Sequence, residues 1–306
     1  MATPDLRQRI VEIIDIMSHQ MPFDDLHVET HHPVGDLEDA DKAVLRDLLK
    51  EQFTQDPSHL VTGIYTLDNI DSRPDNCYVI IGQVEVILNV AKTQMIVMGS
   101  APTAIAQQFV KELLIQLPEV FIFASGEKIV ALLTTLDYDR LSNNIVYQFN
   151  QVNLELLEHN TQVYDFVRLD HSENYDTDLL AAYGLAIWDY PRHEVQNLDI
   201  PHVVVVNDEG QPIGGARANA VTEDMAVVGG VITIPAYRQQ GVGTAVSQVI
   251  TAVLVEMGKE VVLETDDENI PAIKIYEKLG YERVGKSIFL DLGTDMITKI
   301  RGERQY

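Results

Sequence analysis

Apolar residues recur at helical spacing over Leu6, Ile10, Ile13, Ile14 and Met17, which predicts a first helix. Residues 22–35 have no period and read as a loop; Leu37, Val44, Leu48 and Phe53 predict a second helix. After Pro57 the pattern shifts to strands over 60–67, 77–81, 84–90 and 94–98. A helix at 103–117, a buried strand at 120–124, a short helix at 127–136 and a strand at 145–149 follow. The polar stretch 151–162 marks a boundary, giving expected domains 1–155 and 160–306. The second half opens with a strand at 163–169, a helix at 176–188 and a loop at 191–201. Strands 202–206 and 212–218 flank Asn207-Asp208-Glu209-Gly210-Gln211, a hairpin signal because Asn, Asp and Gly tolerate the backbone angles of a tight turn. A strand at 225–234 leads into the most regular helix, 243–257, with Val242, Ala245, Val246, Val249, Ile250, Val253, Leu254 and Met257 on its apolar face. Strand 261–265, a helix from Pro271 to the stop at Gly280, and strand 281–292 complete the pattern.

The same order of elements occurs twice. Strand 94–98, helix 103–117, strand 120–124 and helix 127–136 match 225–234, 243–257, 261–265 and 270–279 at an offset of roughly 140 residues, which predicts a structural duplication. The copies differ in one loop. Gly99-Ser100-Ala101-Pro102-Thr103 has no basic residue, and its proline removes a backbone donor, where the second copy has residues 238–244.

Composition narrows the classes. With 306 residues, 46% hydrophobic and 23% charged, the chain is long enough for two cores and has a globular balance. No run reaches the roughly 18 apolar residues of a membrane span, and the first ten residues carry charges where a secretory signal has its apolar stretch. A cytoplasmic location is expected. The 47 acidic and 22 basic side chains give a formal charge of −25, which disfavours nucleic acid and anionic membrane as partners. The single Cys77 excludes an intrachain disulfide and a multi-cysteine zinc site. His27, His31 and His32 lack an organised carboxylate or cysteine partner, so no metal is expected.

The chemistry begins at residues 231–243, Val-Ile-Thr-Ile-Pro-Ala-Tyr-Arg-Gln-Gln-Gly-Val-Gly. A β-branched run is stopped by Pro235, and a loop with Arg238, Gly241 and Gly243 opens a helix. The amides and dipole of that helix start favour an anion, and a phosphate is the natural guest. Some thirty residues on, 269–281 reads Asn-Ile-Pro-Ala-Ile-Lys-Ile-Tyr-Glu-Lys-Leu-Gly-Tyr. The R-x-x-G-x-G loop and the N-x-x-A-x-x-x-Y-x-x-x-G-[FY] run, in this order, resemble the GNAT superfamily of acyl-CoA-dependent N-acyltransferases over roughly 163–292. The duplication is similar to that of tandem members, including glycine N-acyltransferase-like proteins, whose first half is a degenerate, non-catalytic copy.

The resemblance implies an α/β (α+β) fold with a mixed, mostly antiparallel central sheet flanked by helices. It implies acetyl-CoA as co-substrate and a primary amine, small or peptidic, as acceptor, with a homodimer as one assembly open to the fold. Backbone amides of Gln239, Gln240, Gly241, Val242, Gly243 and Thr244, next to Arg238, would hold the pyrophosphate. Val231, Ile232 and Thr233 would pair with the pantetheine arm, and Asn269 would contact the coenzyme. Tyr276 would protonate the departing thiolate, and Glu264 would take the amine's proton. On pattern alone Tyr276 also fits a core aromatic and Asn269 a helix cap. Glu264 also fits an exposed strand position, with Glu223 and Asp224 as alternative bases. No cysteine lies in either motif, which favours direct attack over an acyl-cysteine intermediate. Residues 280–287 match G-x-x-x-x-G-K-[ST] letter for letter, but that loop must follow a strand and open a helix, and here the order is inverted. A non-catalytic acyl-CoA sensor is the rival function.

Overall fold

The computed structural model describes residues 28–29, 33–81, 85–89, 94–99, 121–135, 140–158, 164–169 and 200–291, with 104, 107, 110, 111, 113, 114, 117, 182, 183 and 187 described singly. The first predicted helix, the histidines at 27, 31 and 32, and the loop 191–199 lie outside these residues, as does all but three residues of the helix expected at 176–188. The chain divides into two compact units, Met1–Asn144 with Gly285–Tyr306, and Ile145–Val284. The sequence puts the divide at 155–160 instead; residues 145–155 join the second unit and those from 285 the first.

In the first unit, strands β1 (Val28–Glu29), β2 (Cys77–Ile81), β3 (Glu85–Asn89), β4 (Gln94–Met98) and β5 (Phe121–Ser125) stand in that order. All neighbours are antiparallel except β4 and β5. The latter part of β12 (Tyr281–Asp291) pairs antiparallel with β5, Ser287 opposite Ser125 and Leu290 opposite Ile122. One sheet face packs Tyr78, Val86, Leu88, Met95, Val97, Ile122 and Ala124 against Leu113, Leu114, Ile129 and Leu133. Ile129 and Leu133 lie on α3 (Glu127–Leu133).

Helix α1 (Asp39–Gln55) buries Leu45, Leu49 and Phe53, at i, i+4 and i+8. The predicted stripe through Val44 and Leu48 is one residue out, and Val44 is exposed. Residues 60–67, expected as a strand, begin helix α2 (Leu60–Ser72). Nearly every side chain from Leu60 to Ile70 is buried, so no alternation survives to separate strand from helix. Asp56 accepts from the Ser58 amide at 3.0 Å, and the Thr62 and Thr66 hydroxyls donate to the carbonyls of His59 and Thr62.

In the second unit the order is β7 (Asp165–Leu169), β8 (His202–Val206), β9 (Pro212–Val221), β10 (Met225–Thr233), β11 (Glu260–Asp266), then the parts of β6 (Arg140–Phe149) and β12 that belong to it. Antiparallel pairing from β7 to β10 gives way to a parallel β10–β11 pair. This repeats the strand pattern of the first unit, with a short helix α4 (Glu155–Glu158) preceding β7. Helix α5 (Val242–Glu256) sets Val242, Val246, Ile250, Val253 and Leu254 against Ala216, Ala218, Ala226, Val228, Val261 and Leu263. Helix α6 (Ile270–Lys278) adds Ile273 and Tyr276 to the same core.

Candidate functional site: an opening between two parallel strands

Parallel pairing of β10 and β11 runs from Met225 opposite Glu260 to Val228 opposite Leu263 and stops there, although both strands continue. On the other side of β10 the register with β9 shifts between Gly229 and Ile232. A bulge of this kind bends and twists its strand and re-aims backbone groups. Val231, Ile232 and Thr233 therefore border a gap in the sheet, Ile232 exposed and the other two half-buried.

The strand leads through a 3-10 turn, Pro235–Tyr237, to Arg238, whose Nε donates to the Thr233 carbonyl at 3.3 Å. Gln239 has φ +63°, and Gly241, at φ +91°, is the N-cap of α5 with no side-chain cap. That left-handed angle suits glycine, and the uncapped turn presents the amides of Val242, Gly243 and Thr244, which have no intrahelical partner. Val242 buries its side chain in the core. Tyr164, just ahead of β7, donates its hydroxyl to the Gln240 carbonyl and braces the loop. A Cβ on Gly243 would stand 3.4 Å from Thr233 Oγ1 and 3.3 Å from Ile275 Cδ1. The strand end, the helix start and α6 thus meet.

Asn269 caps α6, accepting from the Ala272 amide at 3.4 Å, and remains exposed. Tyr276 is 6% exposed, with its ring 5.9 Å from Tyr281 and 6.2 Å from Tyr147. Burial pushes its hydroxyl up to about 12, and no described residue hydrogen-bonds it. The hydroxyl is therefore neutral at physiological pH and has a donor to offer. Tyr281 is pushed up further by burial and shares a 2.7 Å bond with Thr251.

Glu264 follows the last β10–β11 pair and is half-buried. Val261 and Leu263 face α5, so by alternation Glu264 faces the other side of the sheet. Glu223 and Asp224 sit where β10 begins; Asp224 accepts from the Glu260 amide at the closed end. Five residues of strand, about 16 Å, separate Asp224 from the opening, so neither can serve as its base. A cavity of about 340 Å³ also lies at the closed end, but its Glu260 and Glu282 already accept from Gln148 and Asn150. Residues 280–287 cross from a helix end into β12, so the nucleotide-loop lookalike lies in a strand.

Two residues on the Glu264 face are absent from the sequence-derived set: Arg217 and Asn219, on β9. The alternation Ala216-Arg217-Ala218-Asn219 carries the signal, with Ala216 and Ala218 in the core under α5 and the polar side chains away from it. A Cβ at Gly229 would collide with the Asn219 amide, which crosses the strand at the start of the bulge.

The first unit has the same strands without the gap. β4 and β5 pair from Gln94 opposite Phe121 to Met98 opposite Ser125. Ser125 holds the register place of Glu264, five pairs along, and is wholly buried. Its hydroxyl bonds His59 Nδ1 at 2.6 Å and Thr62 Oγ1 at 2.7 Å. Burial lowers the His59 pKa, against the opposing pull of Asp56.

Residues 160–281 match the model of the Acetyltransferase (GNAT) family. No curated protein matches the chain. Similar solved structures include a GCN5-related N-acetyltransferase from Kribbella flavida, with TM-score 0.59 and 15% identity over 79% of this chain and 98% of that one. A Drosophila protein matches at TM-score 0.58 and 12% identity over 84% and 97%. A functionally unknown conserved protein from Staphylococcus epidermidis matches at 0.51 and 16% over 73% and 97%. Among the described residues, no helix is long and apolar enough to cross a membrane, and no group of three or more His, Cys, Asp or Glu side chains is placed to hold a metal.

Proposed function

We propose that the second unit is an N-acetyltransferase that moves the acetyl group of acetyl-CoA directly onto a primary amine. The observation that carries this reading is the end of β10–β11 pairing at Val228 and Leu263, beside the bare start of α5. The amides of Val242, Gly243 and Thr244, with those of Gln239 to Gly241 and the Arg238 guanidinium nearby, suit the pyrophosphate. The backbone of Val231, Ile232 and Thr233 suits the amide-bearing pantetheine arm as an added strand, and a strand N–H can polarise the thioester carbonyl. Asn269, at the head of α6, is a contact for the coenzyme.

The neutral amine attacks the carbonyl carbon, forming the C–N bond, and Glu264 takes the amine proton directly or through water. Collapse of the tetrahedral intermediate breaks the C–S bond. The leaving thiolate receives a hydrogen bond, and finally a proton, from the Tyr276 side, giving free coenzyme A and the amide. The first unit, paired through the equivalent register, serves as a non-catalytic partner domain.

Calorimetry with acetyl-CoA on the full chain, followed by thiol release across a panel of amines, tests the proposal. Saturable binding and thiol release dependent on an amine are expected. Binding without turnover on any amine would replace the enzyme with an acyl-CoA sensor, and no binding would remove both.

A further inference from the structure

Residues 238–241 lie exposed between Tyr237, packed on the second-unit core, and Val242, 1% exposed within it. Carbonyl oxygens in and before this stretch are taken up by side chains. Arg238 Nε donates to Thr233 at 3.3 Å, Gln240 Nε2 to Ala236 at 3.0 Å, and the Tyr164 hydroxyl to Gln240. The next carbonyl, that of Gly241, accepts from the Ala245 amide at 3.0 Å. No described residue accepts from the amides of 239–244. A carbonyl oxygen repels an anion and an N–H attracts one, so the loop has these acceptors occupied and its donors left over.

The Gln240 carbonyl differs from the others because its peptide can turn over. In a trans peptide the C=O and the following N–H point in opposite directions. Gly241, at φ +91° and ψ −5°, has the angles of the third residue of a type II turn. Rotating the 240–241 peptide by half a turn brings Gly241 to about φ −90°, ψ 0°, the type I form, with the chain path kept. Glycine accepts either angle. On the side away from Tyr164, one form presents the Gly241 N–H and the other a carbonyl oxygen. Tyr164 chooses between them. Its half-buried ring packs on the core just ahead of β7, which delivers the hydroxyl from a fixed place, 3.8 Å from where a Cβ on Gly241 would stand. No other described side chain bonds the backbone of 238–241.

We infer that Tyr164 is the positioning residue of the pyrophosphate loop: by holding the Gln240 carbonyl to itself, it keeps the Gly241 N–H turned toward the anion. This rests on the coenzyme binding proposed above and not on turnover. Without the hydroxyl the peptide is free to turn over, and the anion meets an oxygen where it had a donor. The effect falls on the phosphates. The pantetheine arm, paired with residues 231–233 in the proposed complex, keeps its contacts.

The test measures by calorimetry the affinity of the full chain for three probes. These are acetyl-CoA, its form lacking the 3′-phosphate but keeping the pyrophosphate, and S-acetylpantetheine, which has the thioester arm and no phosphate. Tyr164→Phe is expected to weaken the first two by about tenfold and to leave the third within about twofold. Gly241→Ala, whose Cβ disfavours the left-handed angle and so selects the turned-over peptide, should give the same phosphate-specific loss. Because both changes act on one peptide, the double variant should bind no worse than the weaker single one. Unchanged acetyl-CoA affinity in Tyr164→Phe, an equal loss on all three probes, or losses that multiply in the double variant overturns the inference while leaving coenzyme binding standing. A wild type that binds no acetyl-CoA overturns the proposed function and this inference together, whereas absence of turnover on every amine removes the enzyme alone and the three affinities still decide the part of Tyr164.

Discussion

Replacing Tyr276 by Phe removes one oxygen from a ring that is 6% exposed and whose hydroxyl no described residue bonds. No intramolecular hydrogen bond is lost, so stability should change by no more than about 0.5 kcal/mol. The catalytic effect is set by acidity. A hydroxyl held at about 12 is a weaker acid than a thiol of ordinary pKa, about 8.5, so full transfer to a free thiolate runs uphill by three to four units. Tyr276 should therefore act first as a hydrogen-bond donor to the departing sulfur. A bond to a charged group contributes about 1.5–3 kcal/mol, which predicts a fall in kcat of about 10- to 150-fold in Tyr276→Phe, with acetyl-CoA affinity largely kept. Since the neutral phenol persists until pH rises through about 12, the fold loss should be constant from pH 7 to 10. Thiol release followed across that range, with calorimetry for affinity, supplies both numbers. Unchanged kcat would remove Tyr276 from the reaction, and a falling wild-type limb between pH 8 and 10 that disappears in Tyr276→Phe would refute the elevated pKa.

Two further predictions concern protons elsewhere. Burial gives His202 a folded pKa of about 4 against about 6.5 unfolded, so the unfolded chain binds the extra proton; stability is full above 6.5, falls as pH drops through 4, and the loss amounts to about 3 kcal/mol. Urea midpoints at pH 7 and 4 should differ less in His202→Asn than in wild type, and an equal difference would refute the assignment. Glu264→Gln should reduce kcat/KM by about 10²- to 10⁴-fold below the acceptor's own pKa and much less above it, where the amine is already neutral. A ratio to wild type that stays flat from pH 6 to 10 would exclude Glu264 as the base.

The strand end and the helix starts were legible because they depend on backbone, and backbone requirements leave marks in sequence. Gly241 and Pro235 record a turn, and Asn269 and Pro271 a helix start. The polar face of β9 depends on register. Arg217 and Asn219 lie opposite the bulged part of β10 only because β9 and β10 pair as they do, and nothing near residue 217 announces that register. Helix α2 was misread because residues 60–67 are buried nearly all round and their β-branched side chains mimic a strand. The duplication was visible as element order, whereas the closed register between Met98 and Ser125, held by His59 and Thr62 from that misread helix, was not.

The division of β12 between the units bears on how the chain is made. Strand β5 carries Phe121, Ile122, Phe123 and Ala124, and its neighbour in the first unit is the segment around Ser287–Leu290. While a ribosome synthesises residues 126–284, that neighbour does not yet exist. The nascent first unit must wait with an apolar strand edge uncovered, the kind of edge that pairs with other chains or recruits chaperones. Vectorial synthesis therefore cannot finish the amino-terminal unit first: a chain cut off before Gly285 carries the whole of the second unit and a first unit that still lacks its last strand.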